Sequence, residues 1–374
     1  MKRISGLLRR GAAIMMAASM AVGTPVTAYA ANIFKDTVLI SDTHPWLFYV
    51  GNDGDPLATY QKTNLFTQEQ LDRAADNIHQ FSKDIEEASG AKFILFIVPG
   101  KHSVYSEYMP ADIAVADNEG RTMQFIHYMQ TKYPETEIVY PLEEMLQAKQ
   151  EYPGQVLYLE SDSHWNPIGA WVGARTLLGR IASVRGLSYQ GSSGTQSQAG
   201  AQGPASAQGP ASAQGPAKAL GPAGALGSSG THGSSYTPQH REFAAVGQSG
   251  ELDLAHFVHL SGDYWSTTYE TAMGSYNIVN MTTNQKKDDV IREAAVSGEQ
   301  TALPVNVYYV GDSFRYLLKP YLYENLAMTT VVNRFYLNPD DMLESHPDVV
   351  VYEMVDRHLG ELTMLPGYNT AALK

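Results

Sequence analysis

Between Gly191 and Ser235 the chain is almost entirely Gly, Ala, Ser, Pro and Gln. The hexapeptide AQGPAS fills 201–206 and again 207–212, and the related AQGPAK and ALGPAG follow at 213–218 and 219–224. Its glycines, Gly203, Gly209, Gly215 and Gly221, recur every six residues. A collagen helix needs glycine at every third position, so this is not one. Nothing in the segment can bury enough apolar area to offset the entropy of ordering it. It reads as a flexible, disordered insertion or linker. Whatever folds must be built from the two flanks, 31–190 and 236–374.

Both flanks alternate strand and helix. Lys92–Pro99 is a continuous apolar run of strand length, preceded by a helical stretch, Thr67–Ser89, that opens on the capping pattern Thr67-Gln68-Glu69-Gln70. Arg121–Lys132 reads as a helix, and Glu137–Tyr140 and Gln155–Leu159 as short strands. Beyond the insertion, Val305–Val310 and Val349–Val355 read as strands with a helix, Arg315–Glu324, between them. Wholly apolar strands alternating with helices predict an α/β fold whose parallel sheet is covered on both faces.

The chain ends carry a different signal. Lys2, Arg3, Arg9 and Arg10 precede an apolar run from Ala12 to Val22, and Ala28-Tyr29-Ala30 places small residues where a signal peptidase cuts. This is the pattern of a secretory signal peptide over 1–30, and the apolar run is well short of the roughly 20 residues that span a bilayer. A secreted or periplasmic protein is the expectation. Over all 374 residues, 26 Lys+Arg face 39 Asp+Glu, a net charge of −13, and four of the positive charges lie in the first ten residues. So acidic a body argues against nucleic acid as a partner, because that affinity rests on cations neutralising phosphates. There are no cysteines, which removes disulfides, thiolate metal sites and a cysteine nucleophile. His102, His232, His240, His256 and His259 lack the spacing of a zinc site, and no metal or other cofactor is expected.

Two short motifs carry chemistry. The first is Asp162-Ser163-His164-Trp165-Asn166-Pro167. Asn166 suits an N-cap and Pro167 a first helical residue, so Asp162 and His164 fall in the loop before a helix over Ile168–Val184. At the carboxyl edge of a parallel sheet, where ligands bind, an Asp beside a His can fix the imidazole tautomer for a general base. The same pair can equally cap a turn. The second motif, Gly311-Asp312-Ser313-Phe314, follows a strand and precedes a helix. Glycine there suits a tight turn, and the amides at the helix start suit an oxyanion. Gly-Asp-Ser alone is ordinary turn composition. The conjunction gives it weight, since a serine nucleophile needs a base and an Asp–His pair needs a group to deprotonate.

About 40 residues after the serine comes Pro347-Asp348 and the strand ending Glu353-Met354-Val355-Asp356-Arg357. This order of motifs resembles a permuted SGNH (GDSL-type) hydrolase, and more closely the AlgJ/AlgX type of SGNH-like O-acetyltransferase and the related DHHW proteins. The resemblance runs through Trp46-Leu47-Phe48-Tyr49, Val98-Pro99-Gly100-Lys101, Tyr105 to Pro110, the Asp162 and Gly311 motifs, and Glu353 to Leu359. It implies a three-layer SGNH fold in one catalytic domain interrupted by 191–235. It also implies a triad of Asp162, His164 and Ser313, acetyl transfer to an exopolysaccharide or wall glycan, and a membrane-bound O-acyltransferase as the upstream donor partner. Three departures stand out. Ser163 replaces the second His of the DHHW pattern, the Gly-X-Asn block of SGNH hydrolases is missing where Glu353 and Arg357 stand, and a counterpart of the carbohydrate-binding module of AlgX is not expected after Leu359. Lys101, Tyr105, Glu353 and Arg357 are the expected substrate contacts, with a structural loop role open for Lys101 and Tyr105. An acetyl esterase with the same triad and an idle glycan-binding scaffold are the rival readings.

Overall fold

A computed structural model of the chain describes residues 33–367 apart from 35, 188–240, 251, 261, 284–289 and 297–302. The expected signal peptide and the segment 191–235 lie outside the described residues.

The principal sheet has seven strands. In chain order they are β1 (Lys92–Val98), β2 (Glu137–Val139), β3 (Tyr276–Thr283), β4 (Val290–Val296), β5 (Leu303–Gly311), β6 (Leu326–Asn333) and β7 (Val349–Val355). Their order across the sheet is β2-β1-β7-β5-β6-β4-β3. From β2 to β6 every pairing is parallel, and β4 and β3 add an antiparallel edge. The expected parallel sheet is therefore extended by a hairpin that the sequence pattern did not announce. The sheet joins strands from both sides of 191–235, since β1 lies directly beside β7.

Alternation along the strands divides the core into two layers. Ile94, Phe96, Val98, Val307, Tyr309, Val349 and Val351 face one side. They pack against α3 (Pro167–Val184) and α4 (Arg315–Asn325), the last two of the four long helices, where Trp171, Leu178, Leu318 and Leu322 are buried. Phe93, Leu95, Ile97, Tyr308, Val310, Val350 and Tyr352 face the other side, under α1 (Gln68–Ser89) and α2 (Gly120–Lys132). The helices sit where their caps put them. Thr67 Oγ1 accepts from Gln70 N–H at 3.3 Å and Gln70 Oε1 accepts from Thr67 N–H at 2.9 Å, the reciprocal pair read from the sequence. Asn166 Oδ1 accepts from the amides of Ile168 and Gly169 at 2.9 and 3.2 Å, with Pro167 first in α3.

One expected strand is absent. Residues 155–159 do not join the sheet; Tyr158 makes an isolated antiparallel bridge with Trp165. The chain folds back on itself because Asn166 N–H donates to Leu157 O at 2.8 Å and Leu159 N–H to His164 O at 3.1 Å. Gly169 presses against this hairpin, and a Cβ there would overlap Leu157 O. Among the described residues no helix is long and apolar enough to cross a membrane.

Candidate active site

Ser313 occupies the turn between β5 and α4, at the carboxyl end of a central strand, and is half-buried. Asp312 builds that turn. Its Oδ1 accepts from Phe314 N–H at 2.9 Å, and its Oδ2 accepts from Val355 N–H at 2.9 Å. The turn is thus tied to the end of β7. Buried carboxylates are costly, and here burial works against the charge of Asp312. The His358 imidazole 3.7 Å away, a hydrogen bond from Glu353 and the two amides outweigh it and hold the group well below the usual carboxylate range. Gly311 is needed for a reason other than the one expected. Its backbone is not left-handed; instead a Cβ would overlap Glu353 Oε2 and come within 2.8 Å of the Tyr309 ring. The helix-start amides are not waiting for an oxyanion as expected. Phe314 N–H is held by Asp312 Oδ1, and those of Arg315 and Tyr316 by the carbonyls of Asp312 and Ser313.

The hairpin before α3 brings the base to the serine. His164 Nε2 lies 2.7 Å from Ser313 Oγ, and His164 Nδ1 lies 2.7 Å from Asp162 Oδ1. Asp162 can only accept while ionised, so Nδ1 carries the proton and Nε2 is free to accept the Ser313 hydroxyl. Asp162 is fixed by the amides of His164 and Asp253, at 2.9 and 3.2 Å. Trp165 Nε1–H donates to Phe314 O at 3.0 Å, so the hairpin and the serine turn are also joined behind the reacting atoms. Burial, the largest influence on His164, disfavours its charge. The hydrogen bond and charge of Asp162, with Asp253 and Asp312 beyond, more than offset it, and the imidazole pKa is raised. About 25% of the His164 side chain stays exposed, enough to meet a ligand.

The hairpin is braced from three directions. Glu160 accepts from Thr267 N–H and Oγ1–H, both at 2.8 Å, and Ser161 N–H donates to Ser266 Oγ at 2.8 Å. Lys101 Nζ reaches the carbonyls of Leu47, Leu159, Glu160 and Asp162 at 2.7–2.9 Å. Burial pushes its ammonium down to about 7 against the pull of Asp162, Asp253 and Glu160. The surrounding carbonyls are all acceptors, which suits the protonated form. Lys101 is therefore a post of the hairpin, and its protons are spent before any substrate arrives. Tyr105 is also structural. Its hydroxyl accepts from Leu157 N–H at 2.8 Å and its ring is stacked on Tyr108 and against Trp46.

Glu353 is fully buried beneath Gly311, out of reach of a ligand. Burial, then the charge of Asp312 and a hydrogen bond to it, raise its pKa well above the normal value and so favour the neutral acid. Of the four expected substrate contacts, Arg357 keeps the best access. It lines a small cavity with Phe48, Tyr49, Lys101, His102 and Ser163, its charge only loosely engaged by Asp53 at 3.8 Å.

Sequence reasoning missed Asp253. Its Oδ1 accepts from Ser163 N–H at 2.8 Å, its Oδ2 accepts from Ser163 Oγ–H, and Oδ2 lies 3.5 Å from His164 Nδ1. No local pattern marks it, because its partners lie about 90 residues earlier. Asp162, His164 and Asp253 are also the only set among the described residues whose ligand atoms cluster as a metal site would need. The 2.7 Å between Nδ1 and Oδ1 is a hydrogen-bond length. Two ligands each about 2.0–2.2 Å from one tetrahedral ion stand farther apart than that.

A five-strand parallel core, helices on both faces and a serine at a strand end place the chain in the SGNH-like class of α/β proteins. Residues 42–302 match the family described as SGNH hydrolase-like domain, acetyltransferase AlgX, and the chain belongs to that family. A probable alginate O-acetylase AlgJ of Pseudomonas syringae pv. tomato is 33% identical over 149 residues, which is 36% of this chain and 36% of that protein. The alignment thus spans little more than a third of that relative. Among solved structures, Bacillus cereus PatB1 with a sulfonyl adduct aligns over 87% of this chain and 96% of its own, at a TM-score of 0.51 and 14% identity, a likeness of fold. The O-acetyltransferase domain of Pseudomonas putida AlgJ aligns over 87% and 92%, at a TM-score of 0.47 and 17% identity.

Proposed function

We propose that this protein is an O-acetyltransferase that moves an acetyl group through Ser313 to a hydroxyl of a polysaccharide. The observation that carries this reading is the unbroken line Asp162–His164–Ser313, with 2.7 Å at each junction. Ser313 Oγ attacks the carbonyl carbon of an acetyl donor as His164 Nε2 takes its proton. Asp162 keeps the imidazole in the required tautomer and stabilises the imidazolium. His164 then protonates the departing donor oxygen, leaving acetyl on Ser313. In the second half an acceptor hydroxyl gives its proton to His164 and attacks the acetyl carbon, the bond to Ser313 Oγ breaks, and His164 returns the proton to that oxygen. The polysaccharide acceptor is inferred from the relative named for alginate. A membrane-bound O-acyltransferase as donor partner follows from the sequence resemblance.

The same reading makes 31–190 and 236–374 one catalytic domain interrupted by 191–235, exported after removal of 1–30. Support for the single domain is the pairing of β1 with β7 and the meeting of His164 with Ser313 across the interruption. The test is acetyl release from p-nitrophenyl acetate, and acetyl transfer to added oligosaccharide, by the wild type and Ser313→Ala. Turnover and transfer that both vanish in the variant support the transferase. Turnover without transfer makes the protein an esterase, and turnover that persists in Ser313→Ala contradicts the reading.

A further inference from the structure

The proton on His164 Nδ1 faces two carboxylates. Asp162 Oδ1 holds it at 2.7 Å, and Asp253 Oδ2 stands at 3.5 Å. The hydroxyl of Ser163 lies between, 3.4 Å from Nδ1 and hydrogen-bonded to that same Asp253 oxygen. Asp253 does not reach this place on a loose tether. It opens the short helix Asp253–Phe257, whose Leu254 and Ala255 are buried with Val258 against Val38 and Leu47. Ala255 N–H donates to Ser161 O at 3.3 Å, and Asp253 N–H donates to Asp162 Oδ2 at 3.2 Å. The backbone of one acid thus positions the carboxylate of the other.

We propose that Asp253 is a second positioning carboxylate for His164, sharing with Asp162 the orientation of the base and the stabilisation of the imidazolium, and able to hold Nδ1–H when Asp162 cannot. The inference rests on the catalytic reading above. A carboxylate at 3.5 Å is beyond a good hydrogen bond but within strong Coulomb range of a developing imidazolium. A rotation of Asp253 that exchanges Ser163 Oγ for Nδ1 closes the remaining gap. The other charged groups around His164 are Asp162 on its own hairpin and Asp312 from the serine turn, with Lys101 held on the carbonyl side of Asp162. A substitution at Asp253 removes none of the three, although Lys101 and Asp162 both feel its charge. Burial and then the charge of Asp162 raise the pKa of Asp253 itself, the behaviour of two acids crowded at one proton.

The alternative is that Asp253 merely pins Ser163. Asp253→Asn separates the two, since it keeps an acceptor for Ser163 N–H while removing the charge. The experiment uses the full chain with Asp162→Asn, Asp253→Asn, the double variant and Ser163→Ala. The readouts are p-nitrophenyl acetate turnover and the His164 titration midpoint followed by NMR. Loss of the sole triad carboxylate costs about 10⁴-fold elsewhere. With a second carboxylate present, Asp162→Asn should lose only about 10²-fold, and the double variant about 10⁴-fold. Asp253→Asn should lower the His164 midpoint, whereas Ser163→Ala, which removes the pin and keeps the charge, should not. A midpoint unmoved by Asp253→Asn, or a double variant no slower than Asp162→Asn, overturns the proposal. If turnover proves independent of Ser313, the catalytic reading falls, and the NMR midpoint alone then decides whether Asp253 acts on His164.

Discussion

Replacing Glu353 with glutamine should make the protein less sensitive to alkali. Glu353 is completely buried at the end of β7, with Tyr309 Oη 3.3 Å from its Oε2 and a hydrogen bond to Asp312. Its folded pKa is raised well above the ordinary 4.5, by burial first and then by Asp312. Between the unfolded pKa near 4.5 and the raised folded one, the unfolded chain has lost this proton and the folded chain keeps it. The native state therefore binds more protons, and stability falls as pH rises, by about 1.4 kcal/mol for each pH unit over which the folded proton is retained. Glutamine has nearly the same shape and still offers an N–H to Asp312, but has no proton to lose. Urea unfolding of both proteins from pH 5 to 8 measures the difference. The variant should match the wild type within about 1 kcal/mol near pH 5 and gain on it as pH rises toward the raised folded pKa of Glu353, at equal m-values. Parallel curves would show that Glu353 ionises as in the unfolded chain, and would refute the account of how Asp312 is supported.

Gly311→Ala should lower stability by about 1–3 kcal/mol through overpacking and should also reduce turnover, because Glu353 and Tyr309 must move beneath the serine turn; thermal unfolding that stays at the wild-type midpoint would contradict this. Lys101→Met should cost about 3 kcal/mol or more, since it strands buried carbonyls that now share one ammonium. Chemical denaturation checks it, and a loss below about 1 kcal/mol would return Lys101 to the substrate side. Turnover should rise with pH as His164 loses its proton. Because the His164 pKa is raised above 6.5, the midpoint of the acid limb of kcat/KM should lie above that value, and a midpoint below it would mean that another group controls the rate.

The parts of this fold that were legible in the sequence are those specified locally. The capping box at Thr67 and Gln70, the Asn166-Pro167 start of α3 and the apolar runs of β1 and β7 are short-range patterns, and each element lies within two residues of its expected bounds. Residues 155–159 misled because an apolar run of strand length cannot say whether its partner is the sheet or, as here, the chain seven residues on. β6 was missed although Thr329 to Val332 is buried, because it begins where α4 ends, with no turn residues between. The site shows the same division. Asp162, His164 and Ser313 carry motif signals. Asp253 carries none, since its role exists only once the hairpin and the helix Asp253–Phe257 are packed together. Lys101 and Tyr105 stood at a strand end where ligand contacts are common, but both are consumed by the hairpin's backbone.

Ser313 should carry the acetyl group between donor and acceptor. Intact-mass and peptide-mass analysis after brief mixing with p-nitrophenyl acetate at acid pH, where release of the acyl group by His164 is slow, reads this out. An added acetyl group is expected on the peptide containing Ser313, absent from Ser313→Ala and strongly reduced in His164→Ala. Acetylation that falls on another residue, or that persists at full yield without His164, would contradict it.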